Sequence, residues 1–509
     1  MRLASIDIGS NSVHMIIADV TGPQSFFVVD RERERVKLGA GAFKTGKLRA
    51  APMQAALDAL KRFALLCKRL GVQRIHAVAT SAVREARNGR TFLAEVKRRT
   101  GIVAKPIGGK DEAGLIYRGI RHATDLRGRR ALMLDLGGGS LEIMYGNDQR
   151  LAIAESLPLG VQRLRDNFGG QDPLPRRARE RLVKHIRQTA KPVLERIRKR
   201  GIGAVICTSG TQMTLGLACL RLRGRDPWGS LNGYVIQTSE LRDLHRQLID
   251  TDAPGRSRLP GIDERRSDIV HYGSAVLATV LEIVGAGEFQ LCGASLREGL
   301  LLQRMEETGA RRDAQSVRVS AATELVQRTG GEPRRARRVA DLSLRLFDGA
   351  RRAHKLAKRE RGLLEIAALV ADLGRHLYHE DREHLTYQIV RGGGLRGLTD
   401  TELETVGLTA RYSRGGAPKA RHRHFAELDT DSQHIVRVLA GILRIADGLD
   451  RGRAGVVKDI RCRLTRDTLR ISPVVRGDAS LELWSATRAA KLFAQAVDLE
   501  VLIHGAKPR

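Results

Sequence analysis

The chain has 509 residues, 42% of them hydrophobic, enough for about three or four domains at roughly 100–200 residues each. No apolar run reaches the roughly 18 residues of a membrane span, and Asp7 interrupts what would have to be the apolar core of a leader peptide. Cys67, Cys207, Cys219, Cys292 and Cys462 are scattered without C-x-x-C spacing, which excludes a disulfide frame or a cysteine zinc site and leads us to expect a soluble cytoplasmic protein.

The formal net charge is +32. A field of that sign draws polyanions. Nucleic acid is the first candidate, yet only 4% of residues are aromatic and no helix-turn-helix, zinc-finger or K/R-G-F-x-F pattern occurs. No specific nucleic-acid partner is therefore expected. Arginines spread over solvated helix faces are the other source of the charge.

In chain order, Leu3 to Val20 (L-A-S-I-D-I-G-S-N-S-V-H-M-I-I-A-D-V) reads as strand, Gly-rich turn, strand. Phe26 to Lys37 alternates as a further strand, and Pro52 to Leu70 has helical spacing closed by Gly71. The stretch R-I-H-A-V-A-T-S-A-V-R-E-A-R-N-G begins as a strand and breaks into a helix at Thr80–Ser81. Ser81 and Arg84 there suit phosphate, or else make a plain serine cap with Arg84 and Arg87 on a wet face. Ile102 to Ile107 is a strand, and the next helix opens on Asp111 and Glu112. Acids at that position commonly complement the helix dipole; a carboxylate between two phosphate-binding hairpins is also placed to act as a general base.

Past the polar joint Leu126 to Arg130 the opening pattern returns as A-L-M-L-D-L-G-G-G-S-L-E-I-M-Y-G, Ala131 to Gly146. Asp7 aligns with Asp135, Gly9 with Gly137, Ser12 with Ser140 and Met15 with Ile143, which predicts two related half-domains facing each other across a cleft. Gly137, Gly138 and Gly139 are expected to reach positive φ and bare their N–H groups as a concave anion site. Asp135 and Glu142 flank it as hard oxygen ligands suited to Mg²⁺ or Ca²⁺.

Pro175 to Lys199 reads as a helix, and A-V-I-C-T-S as a strand meeting Gly210–Thr211, a third candidate phosphate contact. A helix from Ile269, then a strand, Gly turn and helix to about Met305, close this part. Glu306 to Gln315 reads as a charged linker. Helices are expected near Val339–Leu346, Leu363–Leu373, Leu403–Ala410 and His434–Asp450, then short alternating runs at Arg461–Arg466, Leu469–Val474, Leu481–Trp484 and Glu500–His504. His354, Asp372, His376, His379, His384, Asp447 and Asp450 make a metal-site constellation, but Ala371 stands where a tight bidentate step needs histidine.

D-I-G-S-N-S (Asp7 to Ser12), A-T-S-A-V-R-E-A-R-N-G (Ala79 to Gly89), D-L-G-G-G-S-L-E (Asp135 to Glu142) and C-T-S-G-T (Cys207 to Thr211) carry a resemblance over nearly the whole length to the exopolyphosphatase / guanosine pentaphosphate phosphohydrolase family. The resemblance implies an α/β fold with two actin–hexokinase–heat-shock-70-like (ribonuclease H-like) lobes around a cleft. An all-α His-Asp-type (HD-like) domain and a small α+β subdomain would follow, with boundaries at 1–126, 127–305, 306–450 and 451–509. It implies Glu112 as general base, and Gly9, Ser10, Asn11, Ser12, Ser81, Arg84, Gly137, Gly138, Gly139 and Ser140 as phosphate contacts, which Thr211 would join. Asp135 and Glu142, with Asp7, would hold Mg²⁺ or another divalent cation.

Leu141 stands where the family usually has threonine, and Ala371 and Ser413 where the helical domain would carry histidine. That domain is therefore expected to be non-catalytic and to extend the binding surface. The expected activity is release of orthophosphate from inorganic polyphosphate. The alternatives are the 5′ phosphate of guanosine pentaphosphate and a non-catalytic polyanion binder. A basic helical domain that pairs to lengthen a channel makes a homodimer compatible with this reading.

Overall fold

The structure, a computed structural model, describes residues 1–22, 25–124, 126, 128–227, 231–306, 314–376, 381–392, 395 and 398–504. It divides into two compact units, Met1–Arg312 and Asp313–Arg509.

The first unit holds two sheets. Strands β1 (Arg2–Ile8), β2 (Ser12–Gly22), β3 (Ser25–Arg35), β4 (Arg74–Ala79) and β5 (Ala104–Pro106) lie in the order β3-β2-β1-β4-β5. Strands β6 (Ala131–Leu136), β7 (Leu141–Gly146), β8 (Leu151–Leu157), β9 (Ala204–Thr208), β10 (Val235–Gln237) and β11 (Glu288–Leu291) lie in the order β10-β11-β9-β6-β7-β8. From its meander edge each sheet follows one plan. Three antiparallel strands come first, and the earliest of them also pairs in parallel with a strand reached over a long helix. Parallel neighbours require such a crossover, and Ala50–Arg69 and Arg176–Arg198 supply it. The alignment of Asp7 with Asp135 is thus a repeat of architecture as well as of letters.

Alternation sets the faces of the second sheet. Leu132, Leu134, Leu136 and Ile143 pack toward Leu182, Ile186 and Val193 of one crossover helix. Met133, Met144 and Ile206 face Leu115, Ile116 and Ile120 of the helix Gly109–Ala123. Burial on both faces is why β6 reads as a near-continuous apolar run. The last helix of the unit, Leu296–Glu306, crosses Gly109–Ala123 at two glycines. A Cβ on Gly299 would stand 1.8 Å from the Leu115 carbonyl oxygen, and one on Gly119 2.4 Å from that of Ser295. Its Leu301, Leu302 and Met305 then pack on Leu3, Ile16 and Ala18 of the first sheet.

In the second unit, helices Ala314–Arg328, Pro333–Gly349, Lys358–Val370, Asp400–Arg411 and Thr430–Gly448 surround a core that includes Val339, Leu346, Ile366, Val406, Leu439 and Leu443. Strands β12 (Val457–Leu464), β13 (Thr468–Val475) and β14 (Glu500–Ile503) form a small sheet. Leu481–Trp484, expected to alternate like its neighbours, belongs instead to the helix Ser480–Ala489. Four residues are too few to separate the periods, and Glu482 and Ala486, one helical turn apart, are the buried pair. Most of the expected linker Glu306 to Gln315 lies outside the described residues.

The HD-like constellation is closed by an arginine. Arg335, nearly fully buried, reaches Asp372 Oδ2 at 2.5 Å, Asp447 Oδ1 at 2.9 Å and Asp450 Oδ2 at 3.5 Å. Arg414 adds Asp447 at 2.8 Å and Arg453 adds Asp372 at 3.3 Å. His354 turns away: its Nδ1 accepts from the Leu356 N–H at 3.0 Å, so Nε2 donates to the Phe347 carbonyl at 2.8 Å. Ser413 donates to the Ala410 carbonyl at 2.7 Å. His379 and the His376 side chain lie outside the described residues. A guanidinium therefore sits where a metal would need to be. Removing one member of a buried ion network strands the others, so Arg335→Ala should cost about 3–5 kcal/mol of stability. Chemical denaturation of the full chain would show the second unit's transition moving to lower denaturant.

Candidate active site

The two Gly-rich turns are built alike. Gly9 N–H donates to the Ser12 carbonyl at 3.1 Å and Gly137 N–H to the Ser140 carbonyl at 2.9 Å. Gly137, Gly138 and Gly139 do not adopt the positive φ expected of them. Their lack of a side chain serves close approach instead. A Cβ on Gly138 would lie 3.1 Å from Ser10 Cβ, and one on Gly139 would lie 2.1 Å from Ser81 Oγ and 2.5 Å from Phe43 Cζ. The turns of the two halves thus meet backbone to side chain across the cleft.

What faces the second turn from behind decides what it offers in front. The N–H groups of Val161, Gln162 and Arg163, opening the helix Val161–Phe168, bond the carbonyls of Gly137 and Gly138 at 2.8–3.1 Å. With its carbonyls engaged there, the turn keeps the N–H groups of Gly138 and Gly139, which form no hydrogen bond among the described residues. In the first turn Ser10 Oγ lies 3.0 Å from Ser81 Oγ and accepts from Ala82 N–H at 3.2 Å, while the buried Ser12 hydroxyl has no partner. Thr211 opens the helix Gly210–Leu222 beyond β9, its methyl packed toward Gly273. Ser209 before it holds φ at 90°, a strained setting of the kind found at functional sites.

Acids gather at the strand ends. Asp135 and Glu142 are direct cross-strand partners, 8% and 1% exposed. Like charges so placed repel. Burial pushes both carboxyls up from their ordinary range, Glu142 raising Asp135 further. Ser156, not foreseen from the sequence, donates to Glu142 Oε1 at 2.8 Å. It also supports the Glu112 helix, since a Cβ on Gly109 would stand 2.4 Å from Ser156 Cβ. Glu112, in the first turn of that helix, is 6% exposed and accepts from Arg84 at 3.2 Å. Arg84 also donates to the Ile107 carbonyl at 2.8 Å, so it faces the cleft and not open solvent. Burial first, then Glu142 and Asp7, raise Glu112 well above the carboxylate range, with Arg84 opposing.

A second unforeseen residue, Arg163, ties the halves together. It donates to the Gly139 carbonyl at 2.7 Å, pairs with Glu85 at 2.8 Å and lies 4.0 Å over the Phe43 ring. Asp166 accepts from Gly41 N–H at 2.7 Å. Neither pairing has a signal in a single motif, because the partners are about eighty residues or more apart in the chain.

The donor set fits a hard divalent cation. Asp7 Oδ1 is buried without a partner, and Asp7, Asp135 and Glu142 lie within electrostatic reach of one another. Among the described residues no three ligating side chains form a finished cage. Mg²⁺ does not require one, because it binds through one or two carboxylates and completes its shell with water and substrate phosphate. Burial pushes Asp7 up to about 7, Arg297 opposing and Glu142 adding to the rise. A carboxyl raised on folding stabilises the protein fully only below its unfolded value, and that contribution is lost as pH climbs through the folded one. Without divalent cation, Asp7→Asn should therefore melt increasingly above wild type between about pH 4 and 8. The gap should reach at most about 4 kcal/mol, and added Mg²⁺ should narrow it.

Residues 16–308 match the Ppx/GppA phosphatase family, and residues 317–476 match Ppx/GppA phosphatase domain III. A guanosine-5′-triphosphate,3′-diphosphate pyrophosphatase of Vibrio parahaemolyticus is 27% identical over 439 residues, covering 86% of this chain and 85% of that protein. An uncharacterised Streptomyces coelicolor protein is 31% identical over 309 residues, covering 60% of this chain and 91% of its own. Among solved structures, an exopolyphosphatase from Cytophaga hutchinsonii gives a TM-score of 0.57 at 28% identity, covering 60% of this chain and 98% of that one. An Aquifex aeolicus Ppx/GppA family member gives 0.52 at 26%, covering 61% and 99%. The chain belongs to the Ppx/GppA phosphatase family, whose members are phosphoanhydride hydrolases.

Proposed function

We propose that this chain hydrolyses the terminal phosphoanhydride of inorganic polyphosphate and releases orthophosphate. The observation that carries the reading is Glu112. It is a buried carboxyl raised well above the ordinary carboxylate range, held by Arg84 and set at the start of the helix that abuts Ser156. A carboxylate so raised is a stronger proton acceptor than a solvated one. Glu112 would take the proton of the attacking water. The N–H groups of Gly138 and Gly139 and the Ser12 hydroxyl would hold the equatorial oxygens of the terminal phosphoryl group. Asp135 and Glu142, with Asp7, would hold a divalent cation, which when bound neutralises the charge on those oxygens. Positioning and charge neutralisation supply most of the rate in phosphoryl transfer.

The second reading is the same site acting on the 5′ phosphate of guanosine pentaphosphate. The name of the Vibrio relative favours it, as the Cytophaga structure favours polyphosphate. Both substrates end in a phosphoanhydride. A non-catalytic binder is disfavoured, because a pure binder has no need of Glu112, Asp135 and Glu142 together.

Phosphate release from polyphosphates of several lengths and from guanosine pentaphosphate, with Mg²⁺, separates these readings by relative kcat/KM. Glu112→Gln should slow the preferred reaction about 10²–10⁴-fold with little change in KM. A variant as fast as wild type would remove Glu112 from the mechanism. No release from either substrate would return the chain to the binder reading.

A further inference from the structure

Arg297, in the first turn of the helix Leu296–Glu306, is tied to both halves. On the side of the second sheet, Thr208 is the parallel neighbour of Asp135, and its hydroxyl donates to the Ala294 carbonyl at 2.8 Å, three residues before Arg297. On the side of the first sheet, the Arg297 guanidinium donates to His14 Nδ1 at 3.4 Å, and His14 is the direct cross-strand partner of Asp7. Cross-strand neighbours share a face of the sheet. One half-buried guanidinium thus stands between the rows of the two cleft aspartates.

Its placement leaves it little freedom. Two residues on, Gly299 abuts the Leu115 carbonyl, three residues past Glu112 in that residue's own helix. The Cys292 N–H, at the exit of β11, donates to the Cys207 carbonyl at 2.9 Å. Glu298, next to Arg297 and 4% exposed, accepts from the Ser295 N–H at 3.0 Å and lies 3.7 Å from Arg31. Arg297 itself forms no close ion pair among the described residues.

The charge of Arg297 therefore acts through space. Burial raises Asp7 and Asp135, and Arg297 opposes the rise in both. Glu298 stays below its ordinary range despite burial, because Arg297 and then Arg31 lie near it. Burial, then Arg297, hold His14 well below its ordinary value, so the imidazole adds no charge of its own. A fixed cation beside hard oxygen donors has two effects. It favours their ionised form while the site is empty, and it repels a divalent ion that enters among them.

We propose that Arg297 is the built-in counter-charge of the cleft acids, and that a divalent cation enters the site against it. This rests on the reading that Asp7, Asp135 and Glu142 hold such a cation. Arg297 keeps the donor set ionised before the cation arrives and moderates its affinity afterwards. It acts through the acids and touches neither water nor phosphoryl group, so it is a positioning residue. What the role requires is a positive charge at this place, which lysine also supplies; the planar fork of arginine is not needed.

The test uses the full chain, with Arg297→Gln to remove the charge and Arg297→Lys to keep it. Arg176→Gln, at a side chain 92% exposed, controls for lost net charge. Calorimetry without substrate at about pH 8, where Asp7 is mostly ionised, gives the Mg²⁺ dissociation constant. Thermal melts in chelator give the stability of the cation-free chain. Arg297→Gln should tighten Mg²⁺ about fivefold or more. Arg297→Lys and Arg176→Gln should both stay within about twofold of wild type. In chelator, Arg297→Gln should lower the melting temperature, and by less when Asp7→Asn is already present. Mg²⁺ affinity that is unchanged or weaker in Arg297→Gln overturns the proposal, as does a melting shift of equal size with and without Asp7→Asn. Tightening in Arg297→Lys equal to that in Arg297→Gln overturns it too, because the charge would then not be the cause. If Arg297→Gln fails to fold, Arg297→Met carries the same comparisons. Should the wild type bind no Mg²⁺, the cation reading fails, and the melting comparison decides the counter-charge.

Discussion

The first unit depends on a turn without side chains meeting the side chains of the other half. Gly139 against Ser81 and Phe43 leaves no room for a Cβ, and Gly138 sits tightly against Ser10. Everything at the cleft floor is dimensioned by that contact. It brings the N–H groups of one turn beside the hydroxyls of the other. It also sets Asp7 of one sheet within electrostatic reach of Asp135 and Glu142 of the other. Arg163 and Asp166 then hold the arrangement from the rim.

Charge distribution follows from the same geometry. The chain is strongly basic, yet its most buried charged groups at the cleft are acids stacked on strand ends. Their mutual repulsion and desolvation oppose folding; Arg84 and Arg297 offset part of this cost, and a bound cation would offset more. The two sheets share one plan, yet the neighbours of the aspartate differ, Glu142 and Ser156 in the row of Asp135 and His14 and Arg33 in the row of Asp7.

Much of this was legible in the sequence because it is local. The repeated acid-x-Gly-x-x-Ser core, the strand-to-helix break at Thr80–Ser81 and the acids opening the next helix each lie within a few residues, and the structure brings them together. What was not legible is set by register or by distance along the chain. Ser156 meets Glu142 only through the third strand of a meander. Arg163 reaches Glu85, and Arg35 reaches Asp268, from opposite halves. The glycines were expected to serve by backbone conformation but serve by steric absence, because a composition rule cannot tell which demand a site makes. The Leu481–Trp484 run failed for want of length.

The arginine at the heart of the second unit has a consequence of its own. A metal ion is an exchangeable part: it must be acquired, it competes with other ions, and chelation can take it away. Arg335 is tethered by peptide bonds and cannot be removed by a chelator. By carrying its counterion in its own sequence, this HD-like domain makes its assembly independent of mineral supply.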